Sequence, residues 1–256
     1  MPDSVLARTR LRTLRVCALY PDLMNIYADR GNLLMLERRC AWRGIGFELS
    51  SSGIGEPLYP DAHDLFYLGG GQDRDQRLCA EDLIANKRAG LHAAAARGAV
   101  VLGVCGGYQL LGHSYTLGEE TISGVGLLDV HTMREDGARL TGNVAIQVAL
   151  GDERTGETRV LAGFENHGGR TRLGSGQAAL GRVMKGFGND GHSGKEGARS
   201  ANTIGTYLHG PLLPKNAWFA DWLIATALRV DSSELAPLDD ALEHEAHLSA
   251  RHAAGV

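Results

Sequence analysis

The stretch Ala99-Val100-Val101-Leu102-Gly103-Val104-Cys105-Gly106-Gly107-Tyr108-Gln109-Leu110-Leu111-Gly112 limits this chain more than any other. Its apolar, β-branched opening predicts a buried parallel strand. Cys105 ends that strand without a spacer, two glycines follow, and Tyr108, Leu110 and Leu111 begin a helix. Strand, sharp turn and helix with a nucleophile at the turn is the layout of a nucleophile elbow. Gly103, Gly106 and Gly107 permit a strained turn and keep side chains clear of an incoming substrate. A thiol at a helix N-terminus is also biased toward thiolate. Many core strands end in an inert buried cysteine, but the glycine spacing favours Cys105 as a nucleophile.

The rest of the chain sets bounds on this reading. With 256 residues, 43% of them apolar, it has enough material for one large core. A net charge of −4 gives no reason to expect a nucleic-acid partner. The basic run Arg8, Arg10, Arg12, Arg15 reads as a solvated lead-in without the apolar centre of a signal peptide. No apolar stretch approaches the roughly 20 residues of a membrane helix. Cys17, Cys40, Cys79 and Cys105 are scattered, with no metal-like or disulfide-like spacing, which suits a reducing cytoplasm.

In chain order, residues 14–20 predict a first strand. A loop over 21–32 follows, with Asn32 as the cap of a helix reaching about residue 43. Strands are expected at 46–50 and 64–68, the latter ending in Gly69-Gly70-Gly71. Two helices, 76–86 and 87–97, lead to the Cys105 strand. Strand alternating with helix at this spacing predicts an α/β fold with an open, mostly parallel, doubly wound sheet. Beyond residue 124 the texture changes. Strands at 126–133, 140–150, 160–164 and 180–184 predict an antiparallel extension of the same sheet. A further strand, 203–208, ends in His209-Gly210-Pro211. A helix over 216–228 should turn Trp218, Phe219, Trp222 and Leu223 to the core. No linker is visible, so one domain over 12–230 is expected, with terminal extensions at 1–11 and 231–256.

Ligands of open α/β sheets collect at the carboxyl ends of strands, and Gly69–Gly71, Cys105 and His209 all fall at such ends. His209 is the expected base for the Cys105 thiol. Backbone N–H groups of Gly70 or Gly71 with Gly106 are the expected donors to an oxyanion. His167, in a polar glycine-rich turn, competes with His209. His113 reads as packed or solvent-facing, and His244, His247 and His252 read as a solvated helix face rather than a metal site. The segment 189–196 looks like a phosphate loop but lacks its first glycine, its final Ser/Thr and a following helix. It reads as a surface loop, leaving no ATP site on this chain.

Cys105 in Gly103-Val104-Cys105-Gly106-Gly107-Tyr108-Gln109, with His209 in Gly205-Thr206-Tyr207-Leu208-His209-Gly210-Pro211, resembles the class I glutamine amidotransferases of the cobyric acid synthase type. The loop 23–32, the turn 68–73, Arg139-Leu140-Thr141-Gly142, and the segments 163–170 and 205–216 are similar to those of glutaminase subunits that work with a MurT-like Mur ligase subunit. The resemblance covers nearly the whole chain, excluding the first dozen residues and the tail. It implies that Cys105 attacks the side-chain amide carbon of L-glutamine and that Arg139 grips its α-carboxylate in two places. On the residues alone, Arg139 reads as an ordinary surface arginine before a strand. The resemblance further implies no cofactor and no metal on this chain, with ATP and Mg²⁺ on the partner of a heterodimer. Ammonia would amidate the α-carboxyl of D-glutamate in the lipid II stem peptide, giving D-isoglutamine for peptidoglycan, in the cytoplasm at the inner face of the membrane. One position departs from the wider class: the glutamate expected two residues after the histidine is Pro211. An acid from the partner subunit is the expected replacement, with Glu165 the rival within the chain. Alternative readings are the glutaminase of a corrinoid amidase, a non-catalytic binding subunit of the same fold, and a cysteine peptidase.

Overall fold

The computed structural model describes residues 12–25, 30–150 and 158–256. Arg8, Arg10 and the rest of the lead-in 1–11, and part of the expected loop 21–32, lie outside the described residues. The central sheet has six strands: β1 (Thr13–Leu19), β2 (Gly46–Ser52), β3 (Leu65–Leu68), β4 (Val100–Val104), β13 (Ala198–Ser200) and β14 (Thr203–Thr206). Their order is β13-β14-β4-β3-β1-β2, parallel except for the β13–β14 hairpin. Every residue of β3, β4 and β14 is buried, which is why these strands read as unbroken apolar runs rather than alternating ones.

The antiparallel part is present but does not continue the central sheet. It forms two further four-stranded sheets, antiparallel except where β5 runs parallel to β7. One joins β5 (Ser114–Leu117), β6 (Glu120–Ser123), β7 (Val130–Arg134) and β10 (Gly169–Leu173) in the order β10-β7-β5-β6. The other joins β8 (Leu140–Val148), β9 (Arg159–His167), β11 (Gly181–Lys185) and β12 (Lys195–Glu196) in the order β12-β11-β8-β9. The reason is edge occupancy. β14 returns from late in the chain to pair with β4, and β13 closes that side, so the intervening strands pair with one another.

The helices are α1 (Arg30–Trp42), α2 (Asp73–Asp82), α3 (Arg88–Ala96), α4 (Gly106–Leu111), α5 (Ala217–Leu228) and α6 (Ala241–Ala254). None of the described helices is long and apolar enough to cross a membrane. A π-turn, Leu83–Lys87, joins α2 to α3, so the two expected helices are one continuous helical run. Asn32 is not a cap. It lies inside α1, buried, where it donates to the Tyr67 hydroxyl (2.9 Å) and accepts from the Leu213 N–H (2.8 Å). The core side of α5 is Phe219, Leu223 and Ile224 with small residues, while Trp218 and Trp222 are only half-buried.

Arg39 on α1 is fully buried and donates to both Asp221 on α5 and Asp240 just before α6. Arg43 adds two more bonds to Asp221. Removing a buried charge strands its partners, at a typical cost of about 3–5 kcal/mol. Arg39→Met is therefore expected to lower the unfolding free energy by about 3 kcal/mol or more, seen as a lower urea midpoint at unchanged slope. An unchanged midpoint would remove this cluster from the account of stability.

Candidate active site

Cys105 sits between β4 and α4 with φ 53° and ψ −108°, a left-handed conformation that a non-glycine residue holds only under strain. The expected elbow is therefore present in the backbone itself. Packing explains the glycines around it. A Cβ at Gly107 would lie 2.1 Å from the Leu68 carbonyl oxygen, and the Gly107 N–H donates to Gly69 at 3.0 Å. A Cβ at Gly106 would lie 3.0 Å from the Gly71 nitrogen. The loop after β3 is thus pressed against the start of α4, with Gly71 beside Gly106. Cys17, Cys40 and Cys79 lie within the core, where burial pushes their thiols up to about 11, 12 and 12. They are poor nucleophiles.

Because Thr206 of β14 pairs with Val104 of β4, and the Cys105 N–H donates to the Thr206 carbonyl (2.8 Å), the two strand ends finish together. The chain leaving β14 carries His209 into the same region. Its backbone is locked to Phe164 of β9 by two hydrogen bonds of 3.1 and 2.9 Å, and its ring meets the Phe164 ring edge-on. His209 is fully buried. Burial pulls its pKa down to about 4, and His167, Lys215 and Arg139 add repulsion against a proton. Lys215 donates to the Gly210 carbonyl, and burial lowers its own pKa. Arg139 is exposed just before β8 and donates to the side-chain and backbone oxygens of Asn166, both at 2.7 Å. His209 therefore lies among His167, Lys215 and Arg139, of which Arg139 is the exposed one.

No acid follows the histidine: Pro211 is the side chain against which Gly31 of α1 packs. Glu165 is buried on β9, but its carboxylate accepts the N–H groups of Phe187 (2.6 Å) and Gly188 (2.9 Å) and lies 3.8 Å from His167 Nε2. His167 is not in a turn. It ends β9, buried, stacked on Tyr207 at 3.6 Å and 5°, with Nδ1 on the Gly169 carbonyl (2.8 Å). Of the tail histidines, His247 meets the Lys215 carbonyl through Nδ1 (2.9 Å), while His244 and His252 are exposed. The segment 189–196 is not wholly at the surface either, since Asn189 and Glu196 are buried and the segment ends in β12.

Sequence reasoning missed a buried polar network under the site. Gln76 on α2 donates to the Gly106 carbonyl (3.3 Å) and to Gln109 (2.7 Å). Gln109 donates to the Tyr207 hydroxyl (3.1 Å), which also meets Thr171 (2.6 Å). Glu196 accepts from the Tyr207 N–H (2.7 Å) and the Thr206 hydroxyl. Burial pushes its carboxyl up to about 8. This network braces α4 and the segment bearing His209 against each other. Gln109 and Tyr207 do fall inside the two motifs, but their pairing across the fold leaves no trace in sequence spacing.

Residues 15–217 match the family model described as the CobB/CobQ-like glutamine amidotransferase domain. The chain is 36% identical over 231 residues to the lipid II isoglutaminyl synthase (glutamine-hydrolyzing) subunit GatD of Staphylococcus aureus, covering 90% of each chain. It is 36% identical over 217 residues to the subunit of the same name from Streptococcus pneumoniae, covering 84% of this chain and 81% of that one. Among solved structures, the fold is similar to a chain of PurLQS from Thermotoga maritima, with a TM-score of 0.57 at 20% identity over 92% of this chain and 98% of that one.

Proposed function

This chain belongs to the CobB/CobQ-like glutamine amidotransferase family, and we propose that it is the glutamine-hydrolysing subunit of a lipid II isoglutaminyl synthase. The observation that carries the proposal is the strained Cys105 elbow ending β4 beside the segment that bears His209, in a chain similar to the GatD subunits over 84–90% of its length. In the first step the Cys105 Sγ bonds to the side-chain amide carbon of L-glutamine. The thiol proton passes to His209, and the Gly71 and Gly106 N–H groups receive the charge developing on the carbonyl oxygen. His209 then protonates the leaving nitrogen, ammonia departs, and water hydrolyses the thioester to glutamate. A MurT-like partner, holding ATP and Mg²⁺, would activate the D-glutamate α-carboxyl and take up the ammonia. This places the pair in the cytoplasm at the inner face of the membrane.

A buried base surrounded by Lys215, Arg139 and His167 stabilises its protonated form poorly. This favours the reading that a partner carboxylate completes the site on docking. Glu165, held by the 187–188 turn, is the weaker choice.

Ammonia release from L-glutamine by the chain alone and with a co-expressed MurT-like subunit, ATP, Mg²⁺ and lipid II tests the whole proposal. The expected result is slow release alone, faster release in the pair, and amidated lipid II only in the pair. Release without lipid II amidation would reject the acceptor, and no release in either setting would reject the glutaminase. Arg139→Ala is expected to raise KM for glutamine by roughly 10- to 100-fold with a smaller change in kcat, since one charge-assisted bidentate contact contributes about 1.5–3 kcal/mol. An unchanged KM would return Arg139 to the surface.

A further inference from the structure

At the opposite end of α4 from Cys105, two histidines and a carboxylate meet beside β5 and β7. We propose that His113, Asp129 and His131 form a zinc-binding site. Each offers one ligand atom, and the three atoms lie within 4.8 Å of one another. His113 Nε2 and Asp129 Oδ1 are 3.3 Å apart. Zinc bonded at about 2.0–2.1 Å in a tetrahedron separates its ligand atoms by about 3.3 Å, so this pair already has the spacing of one edge. The two imidazoles are stacked, with centroids 5.0 Å apart and planes at 25°. The remaining ligand-atom spacings, at most 4.8 Å, would close to this value by a turn of the exposed His113 and Asp129 side chains.

The backbone carrying these residues is fixed. The His113 N–H donates to the Val130 carbonyl (2.9 Å), and Ser114 is in register with His131 across the β5–β7 pair. The Asp129 N–H donates to Gln177 (2.9 Å), and its carbonyl accepts the Gly174 N–H (2.7 Å). Ser114 Oγ lies 3.0 Å from His131 Nδ1 and holds that ring's rotation, as the outer-shell partner of a ligating histidine does. Two imidazoles and one carboxylate suit zinc and its transition-metal neighbours rather than magnesium or calcium, which take all-oxygen sites. Three protein ligands leave a position for water. The ion would tie the chain just after α4 to β7. It stands apart from Cys105, since α4 is six residues long and so about 9 Å from end to end.

The test uses the full chain carrying Cys105→Ala, so that the active-site thiol takes no metal. Zn²⁺ binding is measured by calorimetry, and Co²⁺ is followed by its visible absorption. The expected result is one ion per chain, a Co²⁺ spectrum without thiolate charge transfer, and affinity weakened roughly 10- to 100-fold or more by Asp129→Asn or His131→Ala. Both variants should melt at the parent's temperature without metal, and His247→Ala should bind as the parent does. Equal affinity in the parent and the two ligand variants overturns the site. So does loss of binding in His247→Ala, which would move it to the tail, and so does absence of binding at millimolar Zn²⁺. A simple contact between His113 and Asp129 that holds no ion predicts that last result.

Discussion

Cys105→Ala is expected to lower ammonia release by on the order of 10⁴-fold or more, both in the isolated chain and in the complex. The size follows from the chemistry. No other thiol can replace Cys105, because burial within the core pushes Cys17, Cys40 and Cys79 up to about 11 or 12. Without the thioester, hydrolysis falls to what oxyanion donors and substrate positioning supply. Alanine keeps the β-carbon at φ 53°, so the variant retains the elbow's strain and should unfold at nearly the parent's midpoint. Glutamine binding should also survive, since Arg139 and the glycine loops are untouched. The measurement is ammonia release beside a thermal melt and a glutamine titration. Activity within tenfold of the parent, in a folded variant, would falsify the nucleophile assignment.

How much of this could be read from the chain alone depended on how local each signal was. The elbow was legible because strain and close packing both act on consecutive residues: Gly103, Cys105, Gly106 and Gly107 must be what they are within one turn. The parallel sheet was legible because β3, β4 and β14 are buried on both faces, which leaves no room for polar alternation. The later strands were harder. β8 has four apolar-facing residues after an exposed start, and nothing in that pattern says which sheet it joins. That choice was made by β14 taking the edge beside β4, a pairing of residues about a hundred positions apart. Asn32 was misread for a similar reason. An asparagine near a helix start normally caps it, but here its amide bridges Tyr67 and Leu213, partners that only the folded chain brings near. The Gln76–Gln109–Tyr207 network is invisible for the same cause, and His167 reads as a turn residue because glycines follow it.

Assembly with the partner is expected to move the acid limb of the kcat/KM profile upward by about one to three pH units, the usual effect of an opposite charge placed beside a titrating group. In the isolated chain the limb should lie near 4, because burial first, then His167, Lys215 and Arg139, hold His209 there. His209 is neutral and able to accept a proton at all pH values above its pKa, so a low pKa widens the working range but weakens the base. When Cys105 gives up its proton, the product is an imidazolium among cations, and that charge is stabilised poorly. A carboxylate delivered by the partner stabilises it, raising the pKa and the rate together. Each unit is worth about 1.4 kcal/mol, so acylation gains roughly 10- to 1000-fold if the whole shift is expressed in the transition state. Glu165→Gln distinguishes the two sources of the acid. If the partner supplies it, this change weakens the 187–188 turn and lowers stability without moving the limb seen in the complex. If instead the isolated chain is fully active, its limb matches that of the complex, and Glu165→Gln abolishes the activity, the acid belongs to β9 and docking serves only to receive ammonia.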